Sequence, residues 1–122
     1  LAHESDFLVL AASGGEANRG LIDFSVFNVM PKHAWLINIA RGSLVDEKAL
    51  IQALQNGVIA GAALDVFEDE PHVPAELIAL DNVVLQPHVA SATHETRQKM
   101  SEVVLANVTA YFSGNVLPNA IN

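Results

Sequence analysis

Short apolar runs alternate with segments of helical periodicity along this sequence. Runs of strand length occur at residues 7–11, 34–39, 58–64 and 82–85, and each lies before or after a segment with helical spacing of its apolar residues. Parallel strands need a long crossover between them, usually a helix, because the chain must return to the same end of the sheet. The alternation therefore predicts an α/β fold built on a parallel sheet.

Capping residues place two helices between these runs. Asp23 is predicted to cap a short helix that reaches Met30, where Pro31 makes continuation unfavourable. Asp46 is predicted to cap a second helix, with Gly57 as its left-handed stop. Both helices would connect neighbouring strands of the predicted sheet.

Two further helical segments follow. A short helical turn is predicted over residues 75–80. A longer amphipathic helix over about 91–113, opened by Ser91 or Thr93 and ended by Gly114, is predicted from apolar residues at spacings of three and four: Met100, Val103, Val104, Val108 and Tyr111.

Composition and charge exclude several classes of partner. Of the 122 residues, 51% are hydrophobic, and 14 acidic side chains outnumber 6 basic ones to give a formal charge of -8. The apolar share predicts a buried core, and the negative field disfavours nucleic acid and anionic membranes. With no cysteine, no apolar run of membrane-spanning length and no basic leader, we expect a cytoplasmic protein.

Ionisable residues stand where three successive predicted strands end. Arg41 follows the second strand, Asp65 and then Glu70 follow the third, and His88 follows the fourth. Taken singly, each has an ordinary structural interpretation: a surface ion pair for Arg41, a turn cap for Asp65, a solvated carboxylate for Glu70 and a structural imidazole for His88. In a parallel sheet, however, these strand ends meet at the rim where ligands bind.

Together these side chains would suit the reduction of a 2-keto acid. An arginine can hold a carboxylate by two hydrogen bonds, a histidine can exchange a proton near neutral pH, and a glutamate can orient the imidazole. Gly42, next to Arg41, would let backbone and ligand approach closely. The hydride itself must come from a cofactor, because no side chain donates one.

Other chemistries have weaker signals in the sequence. His72, His88 and His94 could suggest a metal site, but neither an HExxH motif nor a tight ligand cluster is present, and we expect no metal. The segment 13–15, Ser-Gly-Gly, could approach a ligand, although no GxGxxG or phosphate-loop motif occurs. A GxSxG elbow is also missing, so serine hydrolysis is not indicated.

Three long motifs make the chain recognisable: LINIARGSLVDE at 36–47, AGAALDVFEDEP at 60–71 and NVVLQPH at 82–88. In this order they resemble the NAD(P)-binding domain of the D-isomer-specific 2-hydroxyacid dehydrogenases, with similarity extending from residue 1 to about 118. Within that family, the residues 71–74 and 87–93 are most similar to glyoxylate and hydroxypyruvate reductases. The resemblance implies the second half of a Rossmann-like, doubly wound parallel sheet followed by a C-terminal amphipathic helix.

The resemblance also implies a role for each site residue. Arg41 would bind the substrate carboxylate and carbonyl, His88 would donate the proton in reduction, and Glu70 would be the partner of His88. The cofactor, NAD or NADP, would be held by Asp65 and the backbone of Ile39 and Ala40. The residues implied to contact it are Ala12, Ile39, Ala40, Arg41, Asp65, His88, Ala90 and Ser91.

The sequence departs from the family pattern in two ways. Ser13 stands where family members usually carry proline, and Asn18 where they carry threonine. Family enzymes are also more than twice this length, and neither the glycine-rich βαβ half nor the substrate-capping domain is present. Residues 1–122 are therefore expected to be the C-terminal half of the NAD(P)-binding domain, with the terminal helix packing on the missing substrate domain.

The resulting functional hypothesis is an oxidoreductase. It would transfer a hydride between NAD(P)H and a small 2-keto acid, glyoxylate or hydroxypyruvate, as a homodimer in the full-length enzyme. One alternative is a dinucleotide-sensing regulatory protein of the same fold, similar to the corepressors related to this family, since fold does not fix function. Another is that the chain is an inactive fragment of the parent enzyme.

Overall fold

The computed structural model describes residues 1–121, which form two units, 1–88 and 89–121. Asn122, the last residue of the predicted 1–122 domain, lies outside the described residues. The first unit contains, in chain order, β1 Phe7–Leu10, α1 Phe24–Val29, β2 Trp35–Asn38, α2 Glu47–Gln55, β3 Gly61–Leu64, α3 Ala75–Ile78 and β4 Val83–Leu85. The second unit contains α4 His94–Phe112.

The four strands form one parallel sheet in the order β1-β2-β3-β4. Successive strands therefore step in the same direction across the sheet. Because crossovers between parallel strands are right-handed, equal steps place the connecting helices on the same face. The predicted α/β fold with a parallel sheet is confirmed.

The core lies between that face and the helices α1 and α2. Leu36 of β2, which is opposite Leu8 of β1 and Ala62 of β3, is fully buried. Phe27 of α1 and Leu50 of α2 belong to the same cluster and are also buried. Burial of side chains of this size stabilises the fold by roughly 1.5–3 kcal/mol each.

The opposite face of the sheet is open in the first unit. Phe7, Val9 and Val84 point to this face and are 64%, 50% and 52% exposed. Trp35 lies on the same face, and its ring occupies the space in which a side chain at Gly61 would project, 2.5 Å from that position. The sheet therefore has one covered and one open surface.

The predicted caps of the first two connecting helices are confirmed. The Asp23 side chain accepts hydrogen bonds from the backbone of α1, and the Asp46 side chain accepts one from Ala49 N. Gly57, with φ 62°, is left-handed, and Gly57 N and Val58 N donate to Leu54 O and Ala53 O. These two bonds close the end of α2 in the Schellman pattern.

The predicted start of the third strand was wrong, because the hydrogen bonds that close α2 extend into the residues assigned to the strand. Val58 N closes the preceding helix. The first hydrogen bond toward β2 is from Ala60 N to Ala34 O at 2.9 Å, so β3 begins at Gly61 rather than at residue 58. The other strands are shorter than predicted by one or two residues, and the turn at 75–80 contains a helix only at Ala75–Ile78. Apolar periodicity marks the elements well but not their last hydrogen bonds.

Helix α4 runs from His94 to Phe112, shorter than the predicted 91–113. Thr93 is its cap, rather than Ser91, and accepts a hydrogen bond from Thr96 N. Gly114, with φ 69°, follows its end as predicted. None of its residues is buried. Its apolar surface is broader than the predicted stripe, because Leu105 and Phe112 are exposed beside the predicted positions.

Among residues 1–121, no helix is long and apolar enough to cross a membrane.

Candidate active site

The loop after β2, residues 39–46, carries Arg41 and is here called the Arg41 loop. It is held by Asn38, the last residue of β2, which is 1% exposed. Asn38 Oδ1 accepts from Ala40 N at 3.1 Å, and Asn38 Nδ2 donates to Arg41 O at 2.9 Å. A buried amide side chain thus replaces strand pairing where the strand ends, and it fixes the backbone that presents Arg41.

The loop after β3, residues 65–70, carries Glu70 and is here called the Glu70 loop. It packs directly on the Arg41 loop at Gly42. A Cβ atom on Gly42 would lie 2.0 Å from the carbonyl of Phe67 and 2.5 Å from Glu68 N. The close approach of backbone predicted at Gly42 is therefore made by the neighbouring loop. The close approach of a ligand there stays a prediction.

A groove lies between the ends of β1 and β2. Its volume is about 490 Å³. The Arg41 side chain crosses Gly14, where an added Cβ would be 2.8 Å from Arg41 Cγ. Small residues therefore keep the groove open beside the guanidinium. The groove is lined by Ala11, Ala12, Ser13, Gly14, Ile39, Ala40 and Arg41.

Glu70 and His88 form a hydrogen-bonded pair. His88 Nδ1 and Glu70 Oε2 are 2.7 Å apart, and Glu70 Oε1 accepts from Phe67 N at 3.1 Å. The hydrogen bond to His88 is the largest cause that lowers the pKa of Glu70, followed by the bond from Phe67 N. The positive charge of Arg41 lowers it further. Glu70 is thus an ionised acceptor that orients the imidazole.

The backbone of His88 is in the left-handed region, with φ 55°. This conformation is uncommon for residues other than glycine, although histidine adopts it more often than most. Local strain of this kind is concentrated at functional sites. A small, mostly apolar cavity of about 140 Å³ adjoins the pair.

The structure brings some of the remaining predicted residues together. Ala12, Ile39 and Ala40 line the groove with Arg41, whereas Asp65 is 6% exposed at the end of β3 and lies outside the described lining. Ala90 and Ser91 belong to the second unit and are exposed. Their contacts with a cofactor stay predictions.

The two departures from the family pattern lie next to each other. Asn18 Nδ2 donates to Ser13 O at 2.9 Å, which closes the loop after β1. Within the described residues 1–121, no three His, Asp or Glu side chains are placed to share a metal ion. Arg41 and the Glu70–His88 pair are predicted site residues that make side-chain contacts at the strand ends.

Sequence reasoning missed two residues that hold this rim together. Asn38 was read only as part of an apolar strand, yet a polar residue at a buried strand position is itself a signal of a structural hydrogen bond. Glu47, which directly follows the predicted cap Asp46, was given no part in the site. Its carboxylate accepts from Glu68 N at 3.1 Å, across 21 positions of sequence, and no local pattern indicates that contact.

The chain is similar to a known protein family and to several characterised relatives. Residues 1–90 match the family described as "D-isomer specific 2-hydroxyacid dehydrogenase, NAD binding domain". The chain is 52% identical over 117 residues to glyoxylate/hydroxypyruvate reductase A of Arabidopsis thaliana, covering 96% of this chain and 37% of that protein. It is 49% identical over 119 residues to glyoxylate reductase of Pyrococcus furiosus, covering 98% and 35%.

A solved structure agrees with these relatives. The NADPH-dependent glyoxylate/hydroxypyruvate reductase of Sinorhizobium meliloti, in complex with NADP and malonate, superposes with a TM-score of 0.93 at 44% identity. The match covers 98% of this chain and 38% of that one, so the chain spans well under half the length of its relatives. The predicted NAD(P)-binding fold is confirmed, and the chain belongs to the D-isomer specific 2-hydroxyacid dehydrogenase family.

Proposed function

We propose that the complete protein is an NAD(P)-dependent oxidoreductase of small 2-keto acids, with glyoxylate and hydroxypyruvate as its substrates. The observation that carries this proposal is the joint placement of Arg41 and the Glu70–His88 pair on adjoining loops at the strand ends. A carboxylate-binding cation and a proton donor are the two groups that reduction of a 2-keto acid requires from the protein. The reductases similar to this chain support the same substrate class.

The groove suits the nicotinamide end of the cofactor. Its floor is made of alanine, glycine and serine, and Ile39, which is 51% exposed, forms an apolar wall. Ile39 and Ala40 would hold the nicotinamide ring there, with Ala12 at the border and Asp65, Ala90 and Ser91 completing the contacts. The bound cofactor supplies the hydride, which no side chain can donate.

Arg41 binds and orients the keto acid. Arg41 Nη1 donates to Ala40 O at 2.6 Å, which directs the side chain along the groove. A guanidinium has five N–H donors in a rigid fork, so this bond leaves donors for a two-point contact with a carboxylate. Two-point binding would fix the orientation of the keto acid at the groove.

His88 moves the proton. Its Nδ1 is engaged by Glu70, so the imidazole presents Nε2 on the opposite side of the ring. A proton held on Nε2 can pass to the carbonyl oxygen as the alcohol forms, and Glu70 keeps Nδ1 protonated throughout. In the oxidation direction Nε2 accepts the same proton.

Helix α4 and the oligomeric state concern the complete protein. We propose that the apolar surface of α4 packs on the substrate domain outside this chain, and that the full-length enzyme is a homodimer in the cytoplasm. Exposed apolar residues along α4, among them Val104 at 63% and Phe112 at 82%, support a packing partner for this helix.

The test is an assay of the complete protein for oxidation of NADH and NADPH with glyoxylate and hydroxypyruvate. We expect turnover with at least one pair, loss of turnover in His88→Ala, and cofactor binding retained in that variant by fluorescence titration. Undiminished turnover in His88→Ala would reject the mechanism. Negligible turnover of the wild-type protein on every 2-keto acid, with dinucleotide still bound, would favour the regulatory alternative.

A further inference from the structure

The Glu70–His88 pair depends on the Glu70 loop, which is anchored in the core at Val66 and Phe67, 2% and 7% exposed, and becomes exposed from Glu68 onward. Glu70 receives a hydrogen bond from Phe67 N, within the same loop, and His88 then bonds to Glu70. Both side chains of the pair are partly exposed, at 36% for Glu70 and 48% for His88. The position of the imidazole is therefore set by whatever fixes residues 67 and 68.

Glu47 makes a contact of this kind from the Arg41 side. It is the first residue of α2, directly after the cap Asp46, and Glu47 Oε1 accepts from Glu68 N at 3.1 Å. Its side chain is half-buried, and burial raises the pKa of its carboxyl, with the charges of Glu68 and Asp69 acting in the same direction. Burial and the neighbouring negative charges therefore disfavour the ionised carboxylate of Glu47. The hydrogen bond from Glu68 N favours the ionised form and offsets part of that cost.

The contact adjoins the closest approach of the two loops. At Gly42 the backbone of Phe67 and Glu68 fills the space of a side chain, and Asp65 N donates to Asn38 O at 3.0 Å. Three contacts thus join residues 38–47 to the Glu70 loop, and Glu47 provides the one side-chain hydrogen bond among them. The exposed ion pair between Arg19 and Glu68, at 3.6 Å, adds little in comparison.

We propose that Glu47 is a positioning residue that holds the Glu70 loop, and through it His88, in register with Arg41. This inference rests on the proposed function, because it assigns Glu47 a consequence for proton transfer. The competing interpretation is a local one, in which an acidic residue in the first helical turn only stabilises α2 through the helix dipole. The two differ in what a neutral glutamine does: it keeps the acceptor oxygen but removes the charge.

The experiment compares Glu47→Ala, Glu47→Gln and the matched control Glu76→Ala in the complete protein. Glu76 is also acidic and in the first turn of a helix, α3. We expect Glu47→Ala to speed hydrogen exchange of the Glu68 amide by about tenfold and to lower kcat by roughly tenfold, with KM unchanged. Glu47→Gln should restore both values, and Glu76→Ala should change neither.

An unchanged Glu68 amide in Glu47→Ala, or a glutamine variant as impaired as the alanine variant, would overturn the positioning role. A parallel rise in KM would also contradict it, because Glu47 acts on the proton donor rather than on Arg41. Failure of the proposed function is recognisable separately: the wild-type protein itself would then show no turnover of any 2-keto acid, while the amide exchange still reports the contact.

Discussion

The two sides of the rim are built in different ways. The Arg41 side rests on buried groups, since Asn38 is 1% exposed and bonds two backbone atoms of the loop, and Gly42 packs on neighbouring backbone. On the His88 side the loop is anchored by the buried Phe67, but the pair itself is a hydrogen bond between side chains that are 36% and 48% exposed. Buried groups fix the Arg41 side, whereas a hydrogen bond between partly exposed side chains fixes the imidazole of His88.

Because of this difference, substitutions on the two sides should affect the free energy of unfolding and the catalytic rate differently. On the Arg41 side, the groups that fix the geometry are part of the folded interior, so we expect that changing them lowers stability as well as the proposed substrate binding. On the His88 side, the pair is solvated and exposed ion pairs contribute little to folding. Changes there should therefore alter catalysis much more than the free energy of unfolding.

The largest effect on stability is expected for Asn38→Leu. The substitution leaves Ala40 N and Arg41 O without their side-chain partner, so we expect the free energy of unfolding to fall by about 1–3 kcal/mol. KM for the keto acid should rise as well, because Arg41 loses its fixed backbone. Chemical denaturation and steady-state kinetics on the same preparation measure both.

Asn82→Leu is the matched control for that variant. Asn82 Nδ2 donates to Ala60 O at 3.0 Å, away from the groove. Its replacement should lower stability by a similar mechanism and leave KM unchanged. An Asn38→Leu variant that loses stability without any change in KM would break the link between the buried amide and Arg41.

A smaller effect is expected from the backbone of His88. Because φ is 55°, glycine fits this position without strain, and His88→Gly should be about 1 kcal/mol more stable than His88→Ala. Both variants lack the imidazole and should be equally inactive. The same pair of substitutions at His94, in the first turn of α4, should show the opposite order, because alanine favours a helix. Equal stabilities at residue 88 would argue against a strained histidine.

The smallest effect concerns pH. The pKa of Glu70 is lowered in the folded state, so the unfolded chain binds the additional proton first. The contribution of Glu70 is therefore present above the unfolded pKa and is lost as the pH falls through the lower, folded pKa. Denaturation of the wild-type protein between pH 3 and 6 should show this loss, and Glu70→Gln should weaken it. Glu47→Gln should change the profile in the opposite sense, because burial raises the pKa of Glu47.

Most of the fold could be predicted because it depends on local patterns. Apolar runs, Asp23 and Asp46 as caps, and Gly57 as a stop each act within a few residues. The start of β3 could not be placed from apolar content, because Val58 N closes a helix instead of joining the sheet.

The rim was predictable to a different extent. That Arg41, Glu70 and His88 follow strand ends is visible in the sequence, and the parallel order of the strands brings those ends to one edge. The contact of Glu47 with Glu68 and the positive φ of His88 depend on how two loops pack in three dimensions. Neither has a signal in residue spacing.

The most direct test of the account is a side-by-side kinetic comparison of Arg41→Gln and His88→Gln in the complete protein with glyoxylate. We expect Arg41→Gln to raise KM by roughly 10- to 100-fold, because charged hydrogen bonds to the carboxylate are lost. His88→Gln should lower kcat by roughly 10²- to 10⁴-fold with little change in KM, because only proton transfer is removed. Equal losses of kcat in both variants with unchanged KM would contradict the division between a substrate-binding side and a proton-transferring side.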